Sequence, residues 1–132
     1  MSTETNKQRV TAYFAAIAAG DPATPDFLAD DVSWWVPQGS SMGGTYEGKE
    51  AVLGLMGQGV DAYSPDVPMQ IDVLRLVAED DWVCAMVELR AAASDGRPYR
   101  NDYHFAFRLR DGRFVEVREY VDTKYTSDTI GI

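Results

Sequence analysis

The sequence predicts an α+β domain: a cone-shaped, curved antiparallel β-sheet with helices packed over its concave face. Two observations carry this expectation. The N-terminal part has apolar residues at helical spacing, whereas the C-terminal half is a run of alternating segments broken by turn residues. The clearest of those breaks, Asp111-Gly112, stands between two alternating stretches and is the dipeptide a tight hairpin favours.

Taken in order, residues 3–19 read as an amphipathic helix, because Val10, Tyr13, Phe14 and Ile17 fall on one stripe. Gly20 suits its C-cap, and Asp21-Pro22 opens a short helix running through Phe27 and Leu28. Residues 32–37 form a short strand with Val32, Trp34 and Val36 on one face, ended by Pro37, which has no N–H for a ladder. Residues 38–45 are a mobile loop by composition. Its glycines lack the Lys-Ser/Thr that a phosphate-binding loop requires. Residues 49–58 make a helix weakened by Gly54 and Gly57, and residues 62–68, with two prolines, are a connector. Strands follow at 69–78 and 82–92, then the hairpin within 99–122. The whole reads as one domain, 1–132, with residues 123–132 as a flexible tail.

Composition narrows the function. A chain of 132 residues is long enough to bury a real core. Its net charge of −9, with no Lys/Arg cluster, argues against nucleic acid. A single cysteine and a single histidine exclude an internal disulfide and a Cys/His metal cluster. The polar N-terminus has no apolar signal core, and no run is long enough to span a membrane, so a cytoplasmic protein is expected.

Alternation in the hairpin exposes the oddest feature of the chain. Asn101, Tyr103, Phe105, Phe107 and Leu109 share one face of the first strand, and Val115, Val117, Glu119 and Val121 share one face of the second. A carboxylate therefore sits on an otherwise apolar face. Loss of solvation raises the pKa of such a group toward the range useful for acid–base work. The bland alternative is an ion pair with Arg100 or Arg118.

Four stretches give the chain a family likeness: YFAAIAAGD (13–21), FLADDVSWWVP (27–37), the segment from Gly44 to Val52, and FRLRDGRFVEVREYVD (107–122). With these, the chain resembles the NTF2-like (cystatin-like) superfamily, in its SnoaL-like and ketosteroid-isomerase-like branch. The resemblance implies the cone fold over nearly the whole chain. It also places Tyr13 where ketosteroid isomerases carry an enolate-stabilising tyrosine. The isomerase base and its protonated acid fall at Val36 and Tyr103, so two of the three catalytic positions differ. Glu119 matches the inward carboxylate that SnoaL-type cyclases and limonene-epoxide-hydrolase-like proteins carry on the last strand, although as Glu rather than Asp. The hydrolase Arg-x-Asp is replaced by AMVEL at 85–89, and the histidines of the cyclases are missing.

These readings converge on a small cofactor-independent acid/base enzyme of isomerase, cyclase or hydrolase/dehydratase type. Its expected substrate is a hydrophobic carbonyl, polyketide or terpenoid-like compound held in an enclosed cavity. Glu119 would be the acid/base and Tyr13 and Tyr103 the phenolic donors; Asn101, Trp34, Val36, Phe14, Val117 and Val121 would contact the ligand. No metal is expected. The alternative is a non-catalytic binding protein whose Glu119 orients an apolar ligand. His104, Trp82, Cys84, Met86 and Ala106 should lie on the outer sheet face. That patch, with the sheet-to-sheet pairing common in the superfamily, implies a homodimer.

Overall fold

The computed structural model describes residues 2–132. Helix α1 (Thr3–Ala19) starts where the Ser2 side chain accepts the Thr5 N–H, and ends where Gly20 turns left-handed (φ 63°) and donates to the Ala16 and Ile17 carbonyls. Its buried stripe is Asn6, Val10, Tyr13, Phe14 and Ala16. A 3-10 turn (Thr24–Phe27) leads into β1 (Leu28–Val36), and β2 (Gly44–Glu47) pairs back on it antiparallel. Helix α2 (Lys49–Asp61) then crosses to β3 (Gln70–Glu79), β4 (Trp82–Ala92), β5 (Pro98–Arg110), β6 (Arg113–Val121) and a last helix, α3 (Thr123–Ile130).

The strands form one curved, unclosed six-stranded sheet in the order β2-β1-β6-β5-β4-β3. All neighbours are antiparallel except β1 and β6, which run parallel, so the sheet is mixed at that one seam. The parallel seam exists because α2 and the β3–β5 meander intervene before the chain returns to lie beside β1. Helix α1 lies across the concave face and buries Tyr13 and Phe14 against Phe105, Phe107 and Phe114. Among the described residues, no helix is long and apolar enough to cross a membrane.

Four sequence expectations are corrected. Residues 123–130 are not a tail but helix α3. Asp122 caps it by accepting the Tyr125 N–H, and Arg97 donates to the Asp128 and Thr129 carbonyls at its other end. Gly44 and Thr45, read as loop, begin the edge strand β2. Strand β1 starts at Leu28 rather than Val32. Val115 does not share the inward face of Val117. It is the extra residue of a bulge between the Arg108–Glu116 and Leu109–Phe114 pairs, and Phe114, fully buried, takes the inward place. The turn itself is as expected, with Asp111 (φ 52°) and Gly112 (φ 78°) both left-handed.

Helix α2 is the least self-sufficient element. Its N-terminus has no side-chain cap, and it fully buries only Val52 and Leu55. Gly54, Gly57 and Gly59 all lie inside it without positive φ, and a Cβ at any of them would meet nothing within 4 Å. Nothing steric or conformational requires glycine at these positions, so each leaves the helix weaker than alanine would. Gly54→Ala and Gly57→Ala, both exposed, are expected to stabilise the chain by about 0.5–1 kcal/mol each, measured by urea denaturation. A loss of stability in either variant would contradict this account of the helix.

Candidate functional site

Between the concave face and α1, α2 and the α3 end lies a cavity of about 180 Å³. The sheet supplies its wall in register: Phe105 lies opposite Glu119, Tyr103 opposite Val121 and also opposite Val87. Helix α1 contributes Tyr13, Phe14 and Ile17, and α2 contributes Leu55, Met56 and Val60. The lining is almost wholly apolar or aromatic. The lining residues with polar side-chain groups are Glu119, Tyr13, Tyr63, Tyr103, Thr126, Ser40 and Trp34.

Glu119 is the centre of this arrangement. Trp34 Nε1 donates to Glu119 Oε1 at 3.2 Å. Burial pushes the carboxyl up to about 7, with only the indole hydrogen bond opposing it. The ion-pair alternative fails, because both candidate arginines are engaged elsewhere. Arg100 forks onto Glu88 at 3.1 and 2.8 Å, and Arg118 stacks over Trp35 at 4.1 Å while donating to the Tyr120 hydroxyl. The carboxyl's charge is felt instead by three phenols. Tyr13, Tyr63 and Tyr103 are each raised first by burial and further by Glu119.

Tyr103 belongs to a hydroxyl cluster at one end of the cavity. Its oxygen lies 2.7 Å from that of Tyr99, which is 3.2 Å from Thr126 Oγ1. Asn101 Nδ2 donates to both Tyr99 and Thr126 at 3.0 Å, while Asn101 Oδ1 accepts the Asp102 N–H. Thr126 gives its own proton to the Asp122 carbonyl at 2.9 Å. Every polar atom of the Asn101 side chain is therefore spent inside the protein.

Of the residues expected from the sequence, Glu119, Tyr13, Tyr103, Trp34, Val36, Phe14 and Val121 all line the cavity. Asn101 does not, because its amide is held behind Tyr99 and Thr126. Val117 does not either: it is fully buried in the core beneath the wall. His104 points outward, edge-on to Tyr120. Sequence reasoning missed Tyr63 and Thr126. Tyr63 comes from the proline-bearing connector, tied to Ala93 by a single bridge, and no periodicity marks it. Thr126 was legible in principle, since Asp122 is a good N-cap for the helix that carries it. Among the described residues no three His, Cys, Asp or Glu side chains converge in a way that could hold a metal ion.

The raised Glu119 carboxyl has a thermodynamic signature. The folded chain holds this proton more tightly than the unfolded chain, whose value is near 4.5, so ionising the group opposes folding. The penalty is absent below pH 4.5, grows up to about pH 7 and is complete above it. It amounts to at most roughly 3 kcal/mol. Glu119→Gln is accordingly expected to be more stable than the parent at pH 8 and nearly equal to it at pH 4.5, by urea denaturation at both. An unchanged difference between the two pH values would refute the raised pKa.

Comparison with known proteins agrees with the fold. The SnoaL-like domain family model matches residues 10–117. No curated protein sequence matches this chain. Among solved structures, an NTF2-like protein of unknown function from Burkholderia pseudomallei is 24% identical with a TM-score of 0.83, each chain fully covered. An NTF2-like protein from Burkholderia xenovorans is 25% identical with a TM-score of 0.76, 98% of each chain being covered. A candidate SnoaL-like polyketide cyclase from Jannaschia is 16% identical with a TM-score of 0.81, over 98% of this chain and 93% of that one. By its cone-like fold and by the sequence match across most of its length, the chain belongs to the SnoaL-like domain family.

Proposed function

We propose that this chain is a small acid/base enzyme acting on a hydrophobic carbonyl compound, with Glu119 as the proton-transfer group. The observation that carries the reading is a cavity carboxylate held by Trp34 Nε1, without a cationic partner and titrating near neutrality. The designation of the Jannaschia relative as a candidate polyketide cyclase is consistent with it.

The cluster behind Tyr103 adds a donor. Asn101 has two amide protons, spent on Tyr99 and Thr126, and Thr126 spends its own on a carbonyl. The Tyr99 and Tyr103 hydroxyls share a hydrogen bond at 2.7 Å, and Tyr99 also meets Thr126 Oγ1 at 3.2 Å. A phenolic hydrogen rotates to suit its partners, so Tyr103 can turn its proton from this cluster to a ligand oxygen in the cavity. A carbonyl oxygen accepting from Tyr103 would have its α-carbon within the sweep of Glu119, the diagonal neighbour across the β5–β6 ladder. Glu119 takes the α-proton; the C–H electrons move into the enolate, whose oxygen Tyr103 holds. Return of the proton to a second carbon completes an isomerisation; attack of the enolate carbon on a second carbonyl, with the Glu119 proton passing to the alkoxide so formed, completes a cyclisation. Neither route changes oxidation state, so the cycle calls on no cofactor.

The direct test is deuterium incorporation at the α-carbon of cyclic ketones in D₂O, followed by proton NMR. The parent protein is expected to accelerate exchange over buffer, with a rate that rises through about pH 7 as Glu119 ionises. Glu119→Gln is expected to lower the rate by about 10²–10³ with ligand affinity retained. Tight binding without any exchange would instead favour a binding protein in which Glu119 only orients the ligand.

The outer sheet face supports a homodimer. Leu74, Val77, Met86 and Tyr120 are large apolar side chains left exposed there, beside His104 and Cys84. Sedimentation equilibrium is expected to give twice the chain mass for the parent and the single-chain mass for Met86→Lys. A monomeric parent at micromolar concentration would remove this proposal.

A further inference from the structure

We infer that the substrate of this site is a neutral single-ring ketone or similarly compact carbonyl compound, not a fused polycycle; the inference rests on the acid/base reading above and concerns which molecules that site can hold. Size decides first. An engineered cavity of roughly 150 Å³ is the benchmark for holding one benzene ring, about 25 Å³ per non-hydrogen atom. On that scale the 180 Å³ here takes about seven non-hydrogen atoms, a six-membered ring with one substituent atom. A three- or four-ring skeleton of about fourteen to twenty non-hydrogen atoms would need roughly 350–500 Å³. Pockets for drug-sized ligands generally begin at about 300 Å³.

The wall has little room to give on the sheet side. Tyr103 and Phe105 stack nearly parallel (5.6 Å, 7°), and Phe105 is packed edge-on by Phe14 and Trp34. Behind them Phe107 and Val117 are completely buried. Enlargement would have to come from the opposite side, where Met56 and Val60 of α2 line the cavity.

Charge decides second. Among the described residues lining the cavity there is no Lys, Arg or His, and Glu119 is the one carboxyl side chain. A carboxylate, phosphate or coenzyme thioester tail would be buried unpaired beside that like charge. A neutral oxygen can accept from the Tyr103 hydroxyl, whose proton can rotate toward the cavity. The remaining competitor is an organic cation, which a carboxylate among aromatic rings can also attract.

The test is isothermal titration calorimetry of the full chain at pH 8 with four probes: cyclohexanone, 1-tetralone, a four-ring steroid ketone and benzylamine. Cyclohexanone is expected to bind at least tenfold more tightly than the steroid ketone and than benzylamine, with 1-tetralone between the two other ketones. Met56→Ala, which widens the α2 side, is expected to narrow the cyclohexanone-to-tetralone ratio at least threefold. Steroid ketone binding as tight as cyclohexanone overturns the size limit, and tighter benzylamine overturns neutrality. The α-proton exchange assay on the same ketones separates this inference from the one it rests on. Exchange confined to the four-ring ketone leaves the acid/base reading standing and removes the size limit. One-ring ketones that bind without exchange remove the acid/base reading and leave the size limit. Failure of all four probes to bind removes both.

Discussion

A carboxylate on the inward face of β6, with an indole N–H for a partner and no cation among the described residues, is the constraint around which the molecule is arranged. Its burial works against folding at neutral pH and must be offset by the surrounding aromatic core. That core is dense: Tyr13, Phe14, Phe27, Phe105, Phe107 and Phe114 form a continuous set of ring contacts between 4.5 and 6.1 Å. The same rings that hold α1 on the sheet exclude the water that would otherwise return Glu119 to an ordinary carboxylate. Stability and chemical readiness thus come from one packing arrangement, in opposition to each other.

The hydroxyl cluster shows how a polar end is built into such a core without stray donors. Asn101, Tyr99, Thr126 and Tyr103 are joined so that each buried polar atom has a partner, and the chain of hydrogen bonds ends at the cavity. Its construction needs α3. Asp122 caps that helix with its side chain, and its carbonyl receives the Thr126 hydroxyl. Tyr125 stacks on Tyr99 (5.4 Å, 14°) and its hydroxyl receives the Arg100 N–H. The last helix is therefore part of the wall that sets Tyr103.

How much of this was legible depended on whether a pattern was local. The first helix and β4 are read correctly to the residue from their periodicity, because each has a full apolar stripe or face and clear boundaries. The inward place of Glu119 is legible for the same reason, since alternation is undisturbed from Val117 to Val121. One bulge earlier it fails, because alternation puts Val115 on a face that Phe114 occupies. The parallel β1–β6 seam joins segments about eighty residues apart in sequence, such as Trp34 and Val117, and no local signal announces it. Helix α3 is eight residues long and polar, so its existence depends on docking as much as on its cap. Asn101 was correctly placed inward, but its direction was lost: which way a buried amide spends its protons is settled by Thr126, from a segment that alternation does not reach.

The three glycines of α2 give the cavity a wall that is cheap to open. Local unfolding follows the weakest cooperative unit, and here that unit carries Leu55, Met56 and Val60 on the cavity side while the sheet and α1 stay intact. Widening of the cavity beyond its resting size would draw on the opening of this helix rather than on global unfolding. Each alanine that tightened α2 would make that widening rarer. A lineage selected for thermal endurance and one selected for rapid turnover would therefore move Gly54, Gly57 and Gly59 in opposite directions.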